Sequence, residues 1–365
     1  MRNLFCTADT IGSETGGGIV THKEAEALLA LGPTNMIDAG TLKPAKYSLS
    51  NSPYVQDYLA DALVLQLLSE KIDIAHFYSG MFGKTIWRLK EAGVKVTQTI
   101  AAHDSALSRE EFQKLGIPYD FPHLNERNLF LTYVEGQLMA DKVICPSTAS
   151  KRIVESYGVR DALVIPHGVV PPVAVAPIPD VFHVGYLGQA GPDKGLRYLL
   201  EAWSKLNLNG HKLFIAGRDG PQLIPLWQQI GGKGEVIFPG WVKSPSELYH
   251  RCSAYVQPSV TEGWGIEVLE AMAHGRPVIV SEGAGAADAV ENGITGYVVP
   301  RRDPDAIADC ILKLKGDPDL CGSMGAAARS VALCYTWDKI VPRYQELWSQ
   351  LLQQPSSDGL QGDRT

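Results

Sequence analysis

The sequence predicts an α/β protein made of two doubly wound parallel sheets, and three observations carry that expectation. Short apolar runs alternate with amphipathic helical segments through both halves of the chain. Each run gives way to a glycine or polar turn before the next helix opens, the pattern of strand and crossover helix in a parallel sheet. A proline-rich stretch at residues 169–180 separates one alternating series from the other.

In the first series, Asn3–Thr7 reads as a strand, and Gly16, Gly17 and Gly18 open a helix over 20–31. Residues 72–78 and 94–100 read as strands, and a helix near 132–139 leads into the strand Lys142–Cys145. Residues 169–180 hold four prolines, which suit neither a helix interior nor a central strand. A second sheet starts at 182–187, followed by a helix over 196–205, the strand Lys212–Ala216, a helix near 223–230 and a strand at 235–238. Ser244, Pro245 and Glu247 have the spacing of an N-cap serine, a first-turn proline and a capping-box acid. The strand Ala254–Gln257 precedes a glycine-bearing turn and a helix over 266–274; the last long helix covers 337–352. The expected organisation is a first domain at 1–168, a linker at 169–180 and a second domain at 181–335. A helix at 336–352 packs back on the first domain, and a disordered tail covers 353–365.

The 365 residues suffice for two domains, and 45% hydrophobic with 20% charged residues is ordinary for a globular protein. A net charge of −7 argues against a nucleic-acid partner. Lys84, Arg88, Lys90 and Lys95 lie among apolar helix positions, the one stretch suited to peripheral contact with a membrane. Six scattered cysteines form no metal or disulfide pattern and fit a reducing compartment. The N-terminus reads as a strand and not a signal peptide, and no run approaches the ~20 apolar residues of a membrane span. The expected location is cytoplasmic, with peripheral attachment at the inner membrane face as the variant.

The strand, turn and helix around Glu262 are the segment with most chemistry. A helix that opens after a glycine turn leaves backbone N–H groups and a positive dipole end free for an anion such as a pyrophosphate. Glu262 stands in the turn and Glu270 just inside the helix. A carboxylate accepts from two vicinal hydroxyls, so this pair suits a sugar nucleotide; by themselves, two such acids are as readily solvated surface groups.

Their surroundings decide between these. Pro258-Ser259, Glu262-Gly-Trp-Gly265, Glu270 to Ile279, Gly283 to Gly285 and Asn292 to Gly296 together resemble the C-terminal domain of the retaining family 4 glycosyltransferases of the GT-B fold. That resemblance implies two Rossmann-like domains facing a central cleft. It implies that Glu270 binds the donor ribose, that Glu262 contacts the transferred sugar, and that the amides of Gly265, Ile266 and Glu267 hold the pyrophosphate. Leu187 to Gly195 is similar to the family's glycine–lysine loop, so Lys194 would neutralise the departing diphosphate. Gln189 departs from the family, which usually has an arginine there, and Arg218 is the candidate replacement cation. Gly17 and Gly18 resemble the family's N-terminal glycine-rich loop and would face donor or acceptor; His103, followed by Asp104, would line the reaction centre. Backbone around Gly240 to Val242 would read the base, and the region 34–67, which matches nothing specific, often receives the acceptor in this family.

The implied reaction moves a sugar from a UDP-, GDP- or ADP-sugar donor to an acceptor hydroxyl of a sugar, lipid or small molecule, with retention. No cofactor or metal enters: the D-x-D letters at Asp303 to Asp305 and Asp317 to Asp319 read as helix caps. Gly185, Gly188 and Gly191 are spaced wrongly for a nicotinamide oxidoreductase. A sugar-nucleotide epimerase of the same fold and a catalytically weakened donor-binding protein remain as alternatives, the second because of Gln189.

Overall fold

The structure, a computed structural model, describes residues 1–7, 16–38, 60–65, 67–78, 82–119 and 134–354. Most of the region 34–67 and all but the first two residues of the tail at 353–365 lie outside the described residues. The chain forms two compact units, each discontinuous in sequence. Unit 1 holds residues 1–102, 120–166 and 337–365; unit 2 holds 103–119 and 167–336.

Unit 1 contains a parallel sheet of β1 (Asn3–Thr7), β2 (Thr34–Ile37), β3 (Ile74–Tyr78), β4 (Lys95–Thr99), β5 (Lys142–Cys145) and β6 (Leu163–Val164), in the order β2-β1-β3-β4-β5-β6. Every residue of β1, β3 and β4 is buried, as expected when helices cover both faces of a parallel sheet. The helix Trp337–Gln353 belongs to this unit and brings Trp337, Tyr344 and Trp348 into the core around Phe5 and Ile74. A buried polar network fixes its register. Tyr344 Oη donates to Glu24 Oε1 at 2.7 Å, Glu24 Oε2 lies 2.9 Å from His76 Nε2, and Trp348 Nε1 donates to Thr97 Oγ1 at 2.9 Å.

Unit 2 contains β7 (Val184–Leu187), β8 (Lys212–Ala216), β9 (Glu235–Gly240), β10 (Ala254–Gln257), β11 (Val278–Ser281) and β12 (Gly296–Val299), ordered β12-β11-β10-β7-β8-β9. Pairing is parallel throughout. From β7 the chain runs outward through β8 and β9, then returns to β10 and runs the other way, so the order reverses between β7 and β10. Trp203 and Leu199 of the helix Leu196–Leu206 pack one face, and Leu269 and Met272 of the helix Ile266–Ala273 the other. These are two Rossmann-like units of the GT-B fold.

Three local expectations are corrected. The helix expected over 20–31 runs Gly16–Leu29, so Gly17 and Gly18 form its first turn and not a loop. Ser244 occupies the N-cap of the helix Pro245–Arg251 with proline at the first position, but its side chain caps nothing, and the capping box does not form. The helix Ser105–Lys114, absent from the sequence reading, exists and is capped by Asp104. Asp303 and Asp317 are N-caps, accepting from the amides of Ala306 and Leu320.

Candidate functional site

An open α/β sheet binds ligands beyond the carboxyl ends of its strands, where the strand order reverses. In unit 2 that point lies between β7 and β10. The loop after β7 carries Gln189, Asp193 and Lys194; the loop after β10 carries Ser259, Thr261 and Glu262. Two contacts pin these loops together. Val260 N donates to Asp193 O at 2.8 Å, and Gly195, at φ +67°, passes so close to Pro258 that a Cβ would lie 2.1 Å from its carbonyl oxygen.

This closeness brings charge together. Lys194 Nζ lies 2.6 Å from Glu262 Oε1, while Glu262 Oε2 accepts from Ser259 Oγ at 2.7 Å and Gln257 Nε2 at 2.9 Å. Tyr255 Oη donates to Gln257 Oε1 at 2.6 Å, which turns the Gln257 amide toward the carboxylate. Burial alone would depress the Lys194 ammonium, but Glu262, Asp193 and Glu267 hold it above its ordinary value. Burial would raise Glu262; Lys194, Ser259 and Gln257 outweigh it and hold the carboxyl below its usual range.

The helix Ile266–Ala273 opens at Gly265, whose φ of +95° and lack of a Cβ leave 3.3 Å to Glu262 Oε2 for a notional side chain. Glu267 lies in the first turn, and Glu270 accepts from Tyr249 Oη at 2.9 Å. Burial raises Glu270. Burial also lifts Glu267, joined by the charges of Glu262 and Glu270, and pushes it up to about 8.

His103 belongs to this same unit. Asp104 N donates to Thr261 Oγ1 at 2.7 Å, which ties His103 to the loop bearing Glu262, and the Asp104 carboxylate caps the following helix. Glu111 then anchors that helix: Oε1 pairs with Lys114 at 2.7 Å and with Arg302 Nε at 2.8 Å, and Oε2 accepts from Tyr198 at 2.9 Å. Burial and Lys194 lower the His103 imidazole, against the opposing charges of Asp193, Glu262 and Asp104.

Thus Lys194, Glu262 and His103 stand in one electrostatic cluster, with Gly265, Ile266, Glu267 and Glu270 on the adjoining helix. The Gln189 side chain is exposed, and its backbone carbonyl accepts from Tyr186 Oη at 2.6 Å. Arg218 stacks on Trp241, 5.5 Å from the ring centre, so its cation rests beyond β8 and β9. Val242 packs inward against Ala216, Leu248 and Cys252. Gly17 and Gly18 lie in unit 1. Sequence reasoning missed Gln257, Ser259 and Thr261. Their signal is a cluster of short polar side chains at the end of an otherwise apolar strand, just before an acid.

Residues 179–317 match the family model for glycosyl transferases group 1. An uncharacterised glycosyltransferase of Methanocaldococcus jannaschii is 34% identical over 163 residues, covering 42% of this chain and 41% of that protein. The capsular polysaccharide biosynthesis glycosyltransferase CapM of Staphylococcus aureus is 32% identical over 159 residues, covering 41% of each. The matched stretches thus span less than half the length of these relatives. Among solved structures, sucrose-phosphate synthase from Thermosynechococcus elongatus superposes with a TM-score of 0.78 at 19% identity, over 96% of this chain and 99% of that one. Anabaena HepE, in complex with UDP and glucose, gives 0.67 at 19% identity, over 96% and 100%. Among the described residues, no helix is long and apolar enough to cross a membrane.

Proposed function

From residues 179–317, a glycosyl transferases group 1 domain, we propose that this chain transfers a sugar from a nucleoside diphosphate sugar to an acceptor hydroxyl, with retention and without a metal. The observation that carries the reading is the meeting of Lys194 and Glu262 where the strand order reverses, beside the N-terminus of the helix Ile266–Ala273. That arrangement pairs a cation and free amides for a diphosphate with a carboxylate for sugar hydroxyls.

In this reading the amides of Gly265, Ile266 and Glu267 take the diphosphate, Glu270 takes the ribose and Glu262 the transferred sugar. The bond from the anomeric carbon to the β-phosphate oxygen breaks as the acceptor oxygen bonds that carbon, and the acceptor proton passes to the leaving phosphate. Lys194 offsets the charge that grows on that phosphate, and His103, kept neutral by burial and by Lys194, lines the sugar. Backbone at Gly240 to Val242, flanked by Arg218 and Trp241, takes the base. HepE, which holds UDP and glucose, makes a UDP-sugar the first donor to try.

One observation favours a second reading, a protein that binds donor but turns it over weakly. Gln189 is neutral, and the Lys194 charge is already paired with Glu262. Thermal unfolding with UDP, GDP and ADP tests both. A nucleotide at about 100 times its Kd stabilises the folded chain by about 2.7 kcal/mol. A shift with none of the three ends the transferase reading. A shift without nucleotide release from the matching sugar nucleotide, whatever the acceptor supplied, leaves only the binder.

A further inference from the structure

The helix Ile266–Ala273 carries one acid that the proposed chemistry does not use. Glu262 is held by Lys194, Ser259 and Gln257, and Glu270 by Tyr249. Glu267 differs. It sits in the first turn of the helix Ile266–Ala273. Its Oε1 lies over the turn that follows β7, 3.7 Å from where a Cβ on Gly188 would stand. The side chain therefore brings a carboxyl to the helix N-terminus and beside the Gly188 turn, where a donor phosphate would lie.

We propose that Glu267 makes donor binding depend on a proton. As a neutral acid it donates a hydrogen bond to the diphosphate; as a carboxylate it repels the diphosphate. The inference rests on the reading of this site as a diphosphate site.

The groups around Glu267 leave it the side chain to titrate. Tyr186 on β7, Tyr255 on β10 and Tyr249 on the helix Pro245–Arg251 are all raised well above their ordinary value by burial and stay neutral. Lys194 is held cationic by its carboxylate neighbours and Glu262 anionic by Lys194. Burial, Glu262 and Glu270 place Glu267 at about 8. Glu270 and Asp193 are also raised by burial, so the test must separate Glu267 from them.

The test is calorimetric titration of the full chain with UDP, and with ADP and GDP in parallel, at about pH 7 and about pH 9 and constant ionic strength. The terminal phosphate, with a pKa of about 6, is ionised at both. If only the protonated form binds, the apparent Kd rises about tenfold between these two points. Glu267→Gln removes the titration and gives the same Kd at both. A wild-type Kd that stays flat, or a slope that survives in Glu267→Gln, overturns the proposal and leaves the donor reading standing. No binding by any of the three at either pH overturns both. Glu267→Ala, also without a titrating group, carries the comparison if circular dichroism shows Glu267→Gln unfolded.

Discussion

Lys194 and Glu262 are bonded to each other, Nζ to Oε1 at 2.6 Å, across the point in unit 2 where the strand order reverses. Each holds the other in its charged form against burial, which favours the neutral form of both. Lys194→Ala therefore removes two things, a cation for the diphosphate and the partner that keeps Glu262 ionised. Turnover of the sugar nucleotide should fall about 10²-fold, and the acid limb of the pH–rate profile should move to higher pH. A loss of only a few-fold in nucleotide release would remove Lys194 from the role proposed for it.

Gln189→Arg places a guanidinium on the turn after β7. Donor affinity should rise up to about tenfold, or about 1.4 kcal/mol, and the gain should shrink as salt screens an exposed charge. Titration with UDP at low and high ionic strength reads both effects. Unchanged affinity at low salt would show that the turn does not approach the phosphate.

Glu267 also leaves a mark on folding. A carboxyl held up to about 8 binds its proton more tightly in the folded chain than in the unfolded one. Its folded form is thus penalised as pH rises from the ordinary carboxylate range to about 8, and the penalty is constant above that. Glu267→Gln should exceed the wild type in unfolding free energy from denaturant titration at pH 9, by up to about 5 kcal/mol, with the gap closing toward pH 5. Parallel stability curves would contradict this.

Glu111 touches none of the proposed site but holds the helix Ser105–Lys114, through Lys114, Arg302 and Tyr198. Glu111→Ala should lower kcat about tenfold or more through a displaced His103, with donor affinity unchanged. Glu111→Gln, which can still meet Arg302 and Tyr198, should recover part of it. Equal losses in kcat and donor affinity would mean a general structural defect instead.

In unit 1, Tyr344→Phe deletes the donor to buried Glu24 Oε1. The cost should be about 1–3 kcal/mol of stability, read by thermal unfolding, with UDP affinity intact. A neutral result would mean that Glu24 is satisfied without Tyr344.

The parts legible in the sequence are those written in local chemistry. Strands Asn3–Thr7, Lys142–Cys145, Lys212–Ala216 and Ala254–Gln257 stand where the apolar runs put them, because buried parallel strands are apolar on both faces. Lys194, Glu262 and Glu270 are singled out by the resemblance of their surroundings to a known family, since two acids eight apart and a lysine in a turn carry little signal alone. The short strand Thr34–Ile37, whose residues are mostly half-buried at the sheet edge, carries little such signal. Ser244 has the letters of a cap without the bond. Arg218 was placed near the phosphate by sheet order alone, and its stacking on Trp241 depends on a residue in another loop. The helix Ser105–Lys114 takes its place from Tyr198 and Arg302, 87 and about 190 positions away, a relation no local pattern encodes.

The membership of residues 103–119 in unit 2 bears on how such chains can be recombined. A single crossover near residue 166 would exchange the contiguous part of that unit and leave His103, Asp104 and Glu111 behind with the old parent. The incoming Thr261, Tyr198 and Arg302 would then meet a foreign helix. A productive chimera has to carry two segments across together, so this half of the protein is inherited as a pair of inserts and not as a cassette.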